Sequence, residues 1–376
     1  MSSIDDRGSY FPSLAGEELE GARKRLLRGG SLMDTRLLRS CEMLDERFRS
    51  FAGCCPAPQW APGLILQGEL RSQHELYLPM DEIVPAFAHL CRTSCLYPVD
   101  TDTISLFSAG SWPDFLSRLQ FAPFIFNPAV LLRRLATEEA LRHAFLHALF
   151  IPRSYGGSFG RYPLQNAFLA AWLADARERL SASLTILDAA CGCGEGTYEA
   201  GETVLEQGYV REATRVDGTT LEPLELLSAA FGYYPNDPGR AALFKSMVGP
   251  FLDAGGGMMV RFSREDIRNH SEQGAGYDVI LCNGLLGGPL LHGRDQLARA
   301  IGSLLSRLKP GGILLVADCF HQGWKKEQGE IISLLRDNML EIVAAGEGVA
   351  GIKSGSATRP TRGRRQNPGP GPGCPA

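Results

Sequence analysis

From residue 184 onward, short runs rich in Val, Ile and Leu alternate with longer segments of helical periodicity. Strands that read as near-continuous apolar runs are covered on both faces, and their alternation with helices is the pattern of a parallel sheet. The predicted strands are LTILD, ATRVDGTTL, MMVRFS, YDVILCN, ILLVAD and LEIVAA, with helices over 195–207, 222–231, 294–308 and 324–338. In the third helix Leu297, Ile301, Leu304, Leu305 and Leu308 fall on one apolar face. The expected fold class is α/β: a doubly wound, Rossmann-like, mostly parallel sheet.

The first 150 residues read differently. LAGEELEGARKRLLRGG and SLMDTRLLRSCEMLDERFRSFAG repeat apolar residues every three or four positions and end on glycine. Helical patterning returns in NPAVLLRRLATEEALRHAFLHALF and in PLQNAFLAAWLADARERL, which leads into the first strand. Between 53 and 112 Pro and Gly break the pattern. The expected organisation is a mainly helical N-terminal region over 1–154, an α/β domain over 155–353, and a tail over 354–376 too poor in apolar side chains to fold.

The 376 residues are 44% apolar and 21% charged, the balance of an ordinary globular protein, and the net charge of -4 gives no global pull toward nucleic acid. The start, MSSIDDRGSY, is acidic and polar where a secretory signal is basic and then apolar. No uninterrupted run of about 18 apolar residues occurs, so neither membrane insertion nor export is expected and the chain reads as cytoplasmic. Ten cysteines, at 41, 54, 55, 91, 95, 191, 193, 282, 319 and 374, form no repeated CxxC pairs and read as reduced thiols. No second ligand pair follows Cys191 and Cys193 at a zinc spacing, so no metal is expected. His143 and His147 stand at i, i+4, but Ala144 takes the place where HExxH needs Glu, and they read as packed or half-exposed helix residues. Arg23, Lys24, Arg25 and Arg28 read as a solvated helix face.

The stretch LTILDAACGCGEGTYEA, 184–200, carries the chemistry. In an open parallel sheet the turn after the first strand lies closest to the ligand, and here that turn is Ala190–Gly196. Gly192, Gly194 and Gly196 let a ligand approach the backbone, and the helix starting near Glu195 offers free N–H groups. A dinucleotide site wants GxGxxG, yet counting from Gly192 puts Thr197 where the third glycine belongs.

These residues resemble the class I S-adenosylmethionine-dependent methyltransferases, whose first motif, Asp-x-Gly-x-Gly-x-Gly, is met by Asp188, Ala190, Gly192 and Gly194. FSREDI is similar to the family's third-strand segment, and the resemblance implies that Asp266 pairs with the adenine amino group. YDVILCNGLL resembles the fourth-strand motif and brings Asn283 into the cofactor-contacting set. LSRLKPGGILLVAD is similar to the family's LKPGG turn before strand five. The family usually closes with a seventh, antiparallel strand, and one short piece after LEIVAA has room for it. A narrower resemblance, to the chemotaxis-receptor glutamate (CheR-like) methyltransferases, covers roughly 155–320. Their GCSTGEEPYS compares with ACGCGEGTYE, which keeps Cys191, Gly194, Glu195 and Tyr198. Their TSFFR-like segment compares with GSFGR, in which Arg161 is implied to hold the methionine carboxylate. Their CRNVLIYF is here CNGLLGGP, with Cys282 kept and the arginine missing.

The resemblance implies S-adenosyl-L-methionine as cofactor and methyl transfer to an acceptor, a protein carboxylate or a small molecule; a non-catalytic cofactor-binding sensor or scaffold is the alternative outside enzymes. A carboxylate acceptor, with an ordinary pKa of about 4.3, is anionic at neutral pH and needs no base. Asp318, His292 and His321 fall near expected strand ends, but none is assigned as a base. Aligning GTTLEPLELL with the family's GxDxxPxxL puts Thr220 where an acid grips the ribose. Glu222 is then the expected ribose acid and Asp217 the less favoured candidate. Acceptor, oligomeric state and partners of the N-terminal region are left open. Deleting residues 356–376 is expected to lower the melting temperature by less than about 4 °C, because this segment has too little apolar area to offset ordering. A larger fall in a thermal scan contradicts that reading.

Overall fold

The computed structural model describes residues 8–54, 68–121, 123–152, 157–180, 182–269, 276–288, 290–318 and 322–354. Cys55, Cys319, His321 and Cys374, and the tail from 355, lie outside these residues. Eight helices precede the sheet: α1 (Gly16–Leu26), α2 (Thr35–Cys54), α3 (Gly68–Tyr77), α4 (Met80–Ser94), α5 (Trp112–Leu119), α6 (Pro128–Thr137), α7 (Glu139–Phe150) and α8 (Pro163–Leu180). The sheet then alternates with helices in the order β1 (Leu184–Ala189), α9 (Glu195–Glu206), β2 (Thr214–Thr220), α10 (Pro223–Phe231), α11 (Pro238–Asp253), β3 (Val260–Arg264), β4 (Tyr277–Asn283), α12 (Arg294–Arg307), β5 (Leu308–Ala317), α13 (Gln322–Asp337), β6 (Leu340–Ala345) and β7 (Gly348–Lys353).

The fold is α/β, with a seven-stranded sheet of order β3-β2-β1-β4-β5-β7-β6. β1 to β5 pair in parallel, and β7 runs antiparallel between β5 and β6. The seventh strand is therefore present. It sits where Gly348 allows: a Cβ there would stand 2.0 Å from the Val316 carbonyl oxygen. The LKPGG segment is a bulge inside β5 rather than a turn before it, since Tyr277 pairs with Leu308 and Val279 already with Ile313.

Strand periodicity divides the core between the two faces. Ile186, Val279, Leu281, Ile313 and Leu315 point to one face, where α8 to α11 pack; Leu187, Ile280, Cys282, Leu314 and Val316 point to the other, beneath α12 and α13. The first face does not stop at the α/β helices. Leu27, Phe51, Phe87, Trp112 and Phe145 of the N-terminal helices belong to the same continuous apolar cluster as Leu224, Leu227 and Phe262. Tyr10 adds a short antiparallel bridge to the β3 edge, exchanging backbone hydrogen bonds with Phe262 of 2.7 and 2.8 Å.

One predicted helix is two. The backbone turns out at Glu138 (φ -100°, ψ 102°), between α6 and α7. The fully buried Arg142 makes the break affordable by donating to the Leu135, Ala136, Arg28 and Gly30 carbonyls at 3.0, 3.4, 3.0 and 2.8 Å. A guanidinium is favoured at those carbonyl-rich helix ends. Arg23 is not solvated as expected: it bonds Glu20, Glu139 at 2.8 Å and His143 Nδ1 at 2.7 Å. Of the two readings, packed or half-exposed, His143 and His147 take the first: both are buried, and desolvation pushes each down to about 4. Among the described residues no helix is long and apolar enough to cross a membrane.

Because one core spans both regions, a chain lacking residues 1–154 is expected to lose cooperative thermal unfolding. A single sharp transition with intact near-ultraviolet dichroism would show that the sheet region folds alone.

Candidate functional site

The order β2-β1-β4 places a topological switch point at the C-terminal end of β1, the position where open α/β sheets bind ligands. The chain leaves β1 through three residues in the left-handed region: Ala190 (φ 63°), Gly192 (φ 55°) and Gly194 (φ 85°). Gly194 also meets the core, since a Cβ there would stand 2.9 Å from the Ala229 Cβ and 3.0 Å from the Phe262 ring. A Cβ on Gly192 would make only van der Waals contact, with Glu225 Oε1 at 3.9 Å. α9 begins here, and the first turn of a helix leaves its backbone N–H groups without intrahelical partners.

Asp188, at the end of β1, is buried and accepts a 2.6 Å hydrogen bond from Thr197 Oγ1. Thr197 thus does structural work at the position where a dinucleotide turn needs glycine. Burial pushes the Asp188 carboxyl up to about 6, the Thr197 hydroxyl pulling the other way. Cys191 and Cys193 are reduced, with burial raising both thiols.

Glu222 caps α10, accepting from the Leu224 amide at 2.9 Å, and also accepts from the Tyr97 hydroxyl of the N-terminal region at 2.9 Å. The acid that reaches the glycine turn is instead Glu225, one helical turn on. Its carboxyl accepts from Thr220 Oγ1, the residue standing where the expected ribose acid is missing. Burial pushes Glu225 up to about 7. Asp217 faces away from the turn: Arg215, Arg261 and Tyr277 hold it at 3.1, 3.1 and 2.8 Å. The alignment with GxDxxPxxL drew attention to 220 and 222. Glu225 was missed because a Thr hydroxyl must first turn its carboxyl back toward the strand end.

On the other flank, Arg161 lies over the end of β4, where a Cβ on Gly284 would stand 3.8 Å from both of its terminal nitrogens. Asn283 is committed to structure: it exchanges amide hydrogen bonds with Gln165 of α8 (2.7 and 3.2 Å) and accepts from the Ala317 amide at 3.0 Å. It thereby fixes the start of α8, next to Arg161, onto the sheet. Glu347 in the β6–β7 turn completes that seat by accepting from the Leu164 and Gln165 amides at 3.0 and 2.8 Å. Asp266, just past β3, pairs with Arg268 at 2.8 Å and bonds Asn269, which holds its carboxyl below the usual range. The fold thus brings Asp188, Ala190, Gly192 and Gly194 to the end of β1, with Arg161 beside Gly284 on one flank and Glu225 beside Gly192 on the other. Among the described groups around the turn, the carboxyls Asp188, Glu195, Glu199, Glu222 and Glu225 outnumber the guanidiniums Arg161, Arg240 and Arg264.

No protein-family model matches this chain, and no curated protein does. Solved structures resemble about half of it. S-adenosylmethionine-bound CalS10, an amino pentose methyltransferase from Micromonospora echinaspora, is 23% identical over 44% of this chain, with a TM-score of 0.25. This chain covers 53% of CalS10. DesVI of Streptomyces venezuelae is 16% identical, covering 51% of this chain and 93% of its own, with a TM-score of 0.30. The N-methyltransferase NodS from Bradyrhizobium japonicum is 14% identical over 50% of this chain and 97% of its own, with a TM-score of 0.31.

Ala190 is an L-residue in a conformation that costs roughly 1–2 kcal/mol. In urea denaturation Ala190→Gly is expected to leave stability unchanged or raise it by up to about 1 kcal/mol, whereas the β-branched Ala190→Val lowers it by about 2 kcal/mol or more. A stable Val variant would mean the turn can abandon this geometry.

Proposed function

We propose that the chain is an S-adenosyl-L-methionine-dependent methyltransferase, with the cofactor lying across the Ala190–Gly194 turn. The observation that carries this reading is the left-handed backbone of Ala190, Gly192 and Gly194 at the switch point, with Arg161 beside Gly284 on one side and the Glu225 carboxyl beside Gly192 on the other. The donor set fits the group. The cofactor is cationic at its sulfonium and ammonium and anionic only at its carboxylate. A rim rich in carboxyls with Arg161 at one end complements that distribution. In this reading Arg161 takes the carboxylate, Asp266 the adenine amino group, and Glu225 the ribose hydroxyls in place of Glu222.

When bound, the cofactor supplies a methyl group activated by the positive sulfur. The protein's own contribution is placement, holding an acceptor roughly 3 to 3.5 Å from the methyl carbon and in line with the leaving sulfur. For a carboxylate acceptor no proton has to be removed, consistent with a site to which no general base is assigned. Kinship with the chemotaxis-receptor glutamate methyltransferases, and a protein carboxylate as acceptor, rest on Cys191, Gly194, Glu195 and Tyr198 together with Ser158, Phe159 and Arg161. The N-terminal region that carries α1 to α7 then selects the acceptor.

Calorimetry is expected to show binding of S-adenosylmethionine or S-adenosylhomocysteine, and tighter binding of NAD than of both would overturn the reading. Radioactive methyl label entering macromolecules in a lysate supports a protein acceptor; label confined to small solutes contradicts it. The ribose assignment has its own signature. Ribose hydroxyls donate more strongly to a carboxylate than to a carboxylic acid, so S-adenosylhomocysteine affinity should rise as pH passes from 6 to 8 through the raised pKa of Glu225. Glu225→Gln should lose about tenfold in affinity at pH 8 and flatten this dependence. Glu222→Gln should keep it. Without ligand the sign reverses: acids whose pKa is raised by folding bind protons in the native state, so their contribution favours the fold at low pH. It is lost as pH rises through about 6 and 7 for Asp188 and Glu225.

A further inference from the structure

Arg240 stands in the first turn of α11, a helix that contributes nothing to the floor of the site. Its side chain is only 18% exposed and donates from one terminal nitrogen to two acceptors. These are Glu195 Oε1 at 2.5 Å and the Gly157 carbonyl at 3.2 Å. The guanidinium also lies 4.7 Å from the centre of the Tyr234 ring, whose hydroxyl donates to the same Glu195 oxygen at 3.4 Å. Glu195 is the first residue of α9, immediately after the glycine turn. Gly157 begins the segment that carries Arg161. The two approach as closely as backbone allows, for a Cβ on Gly157 would stand 2.7 Å from Glu195 Oε2. The same segment is held twice more: Phe159 packs on Phe244 of α11 at 6.3 Å, and the Gly160 amide donates to Glu199 of α9.

We propose that Arg240 is a positioning residue for cofactor capture: through Glu195 and the Gly157 carbonyl it fixes the 157–161 segment, and with it Arg161, against the glycine turn without touching the cofactor. The proposal rests on the S-adenosyl reading above. A partly buried arginine on a buried carboxylate is a weak source of net stability but a strong source of geometry, because removing Arg240 leaves the Glu195 carboxylate desolvated without its charge partner. Here the geometry it sets is the distance between the segment carrying Arg161 and the start of α9 beside the glycine turn.

The test uses the full chain with Arg240→Gln, Arg240→Lys, Arg161→Ala and the Arg161→Ala/Arg240→Gln double variant. Hydrogen exchange without ligand should rise about tenfold across 157–162 in Arg240→Gln, by local opening, and stay at the wild-type level in Arg161→Ala. S-adenosylhomocysteine affinity should fall about tenfold in Arg240→Gln and recover in part in Arg240→Lys. The double variant should bind within about twofold of Arg161→Ala, because Arg240 acts through Arg161. Unchanged exchange in Arg240→Gln overturns the proposal, and so do independent, multiplying losses in the double variant. Should Arg240→Gln fail to fold, Glu195→Gln is expected to reproduce the local exchange. A wild-type chain that binds no S-adenosylhomocysteine defeats the cofactor reading, while the exchange result still decides whether Arg240 holds the segment.

Discussion

The chain must reverse direction within five residues between β1 and α9, and left-handed backbone at Ala190, Gly192 and Gly194 is how it does so. Everything around the candidate site takes its position from that reversal. Glycine at 194 lets α9 settle onto Ala229 and Phe262, which brings Thr197 under Asp188 and Glu195 toward Arg240. Gly192 is the turn residue that Glu225 approaches, its Oε1 lying 3.9 Å from where a Cβ would stand. Alanine at 190 bears some strain, as functional turns commonly do when the surrounding structure over-determines them.

The walls are set by polar contacts between segments far apart in the chain. Tyr97 reaches Glu222 across 125 residues, Gln165 reaches Asn283 across 118, and Glu347 holds the amides at the start of α8. Each ties a helix or loop to a strand end, while the apolar core ties the N-terminal helices to the face carrying α8, α9 and α10. The N-terminal region is thus part of the same folded body as the sheet, and Tyr97 carries it to the edge of the site.

Segments with a strong period could be read before the fold was seen. YDVILCN and PLQNAFLAAWLADARERL have the observed bounds, because nothing within them competes with burial on both faces of a strand or on one side of a helix. LEIVAA also matches, and β1, β2 and β3 agree within a residue or two at each end, but β5 begins five residues before ILLVAD because LKPGG is drawn into the strand. α11 escaped notice because Pro238, Gly239, Gly249 and Pro250 are poor helix formers and only Phe244, Val248 and Phe251 mark its buried side. The break between α6 and α7 depends on Arg142, whose carbonyl partners no local pattern announces. In the site, the floor residues were visible because backbone geometry demands their type. Glu225 and Arg240 were not: each works through a partner, Thr220 or Glu195, whose position exists only once β2, α9 and α11 are packed.

The account stands most directly on where a bound cofactor lies. A crystal structure of the chain with S-adenosylhomocysteine should show the ligand across Gly192 and Gly194. Its ribose hydroxyls should be within hydrogen-bonding distance of the Glu225 carboxyl and its carboxylate at Arg161 beside Gly284. A ligand bound away from this turn, or its ribose held by Glu222 with Glu225 turned aside, would contradict the account.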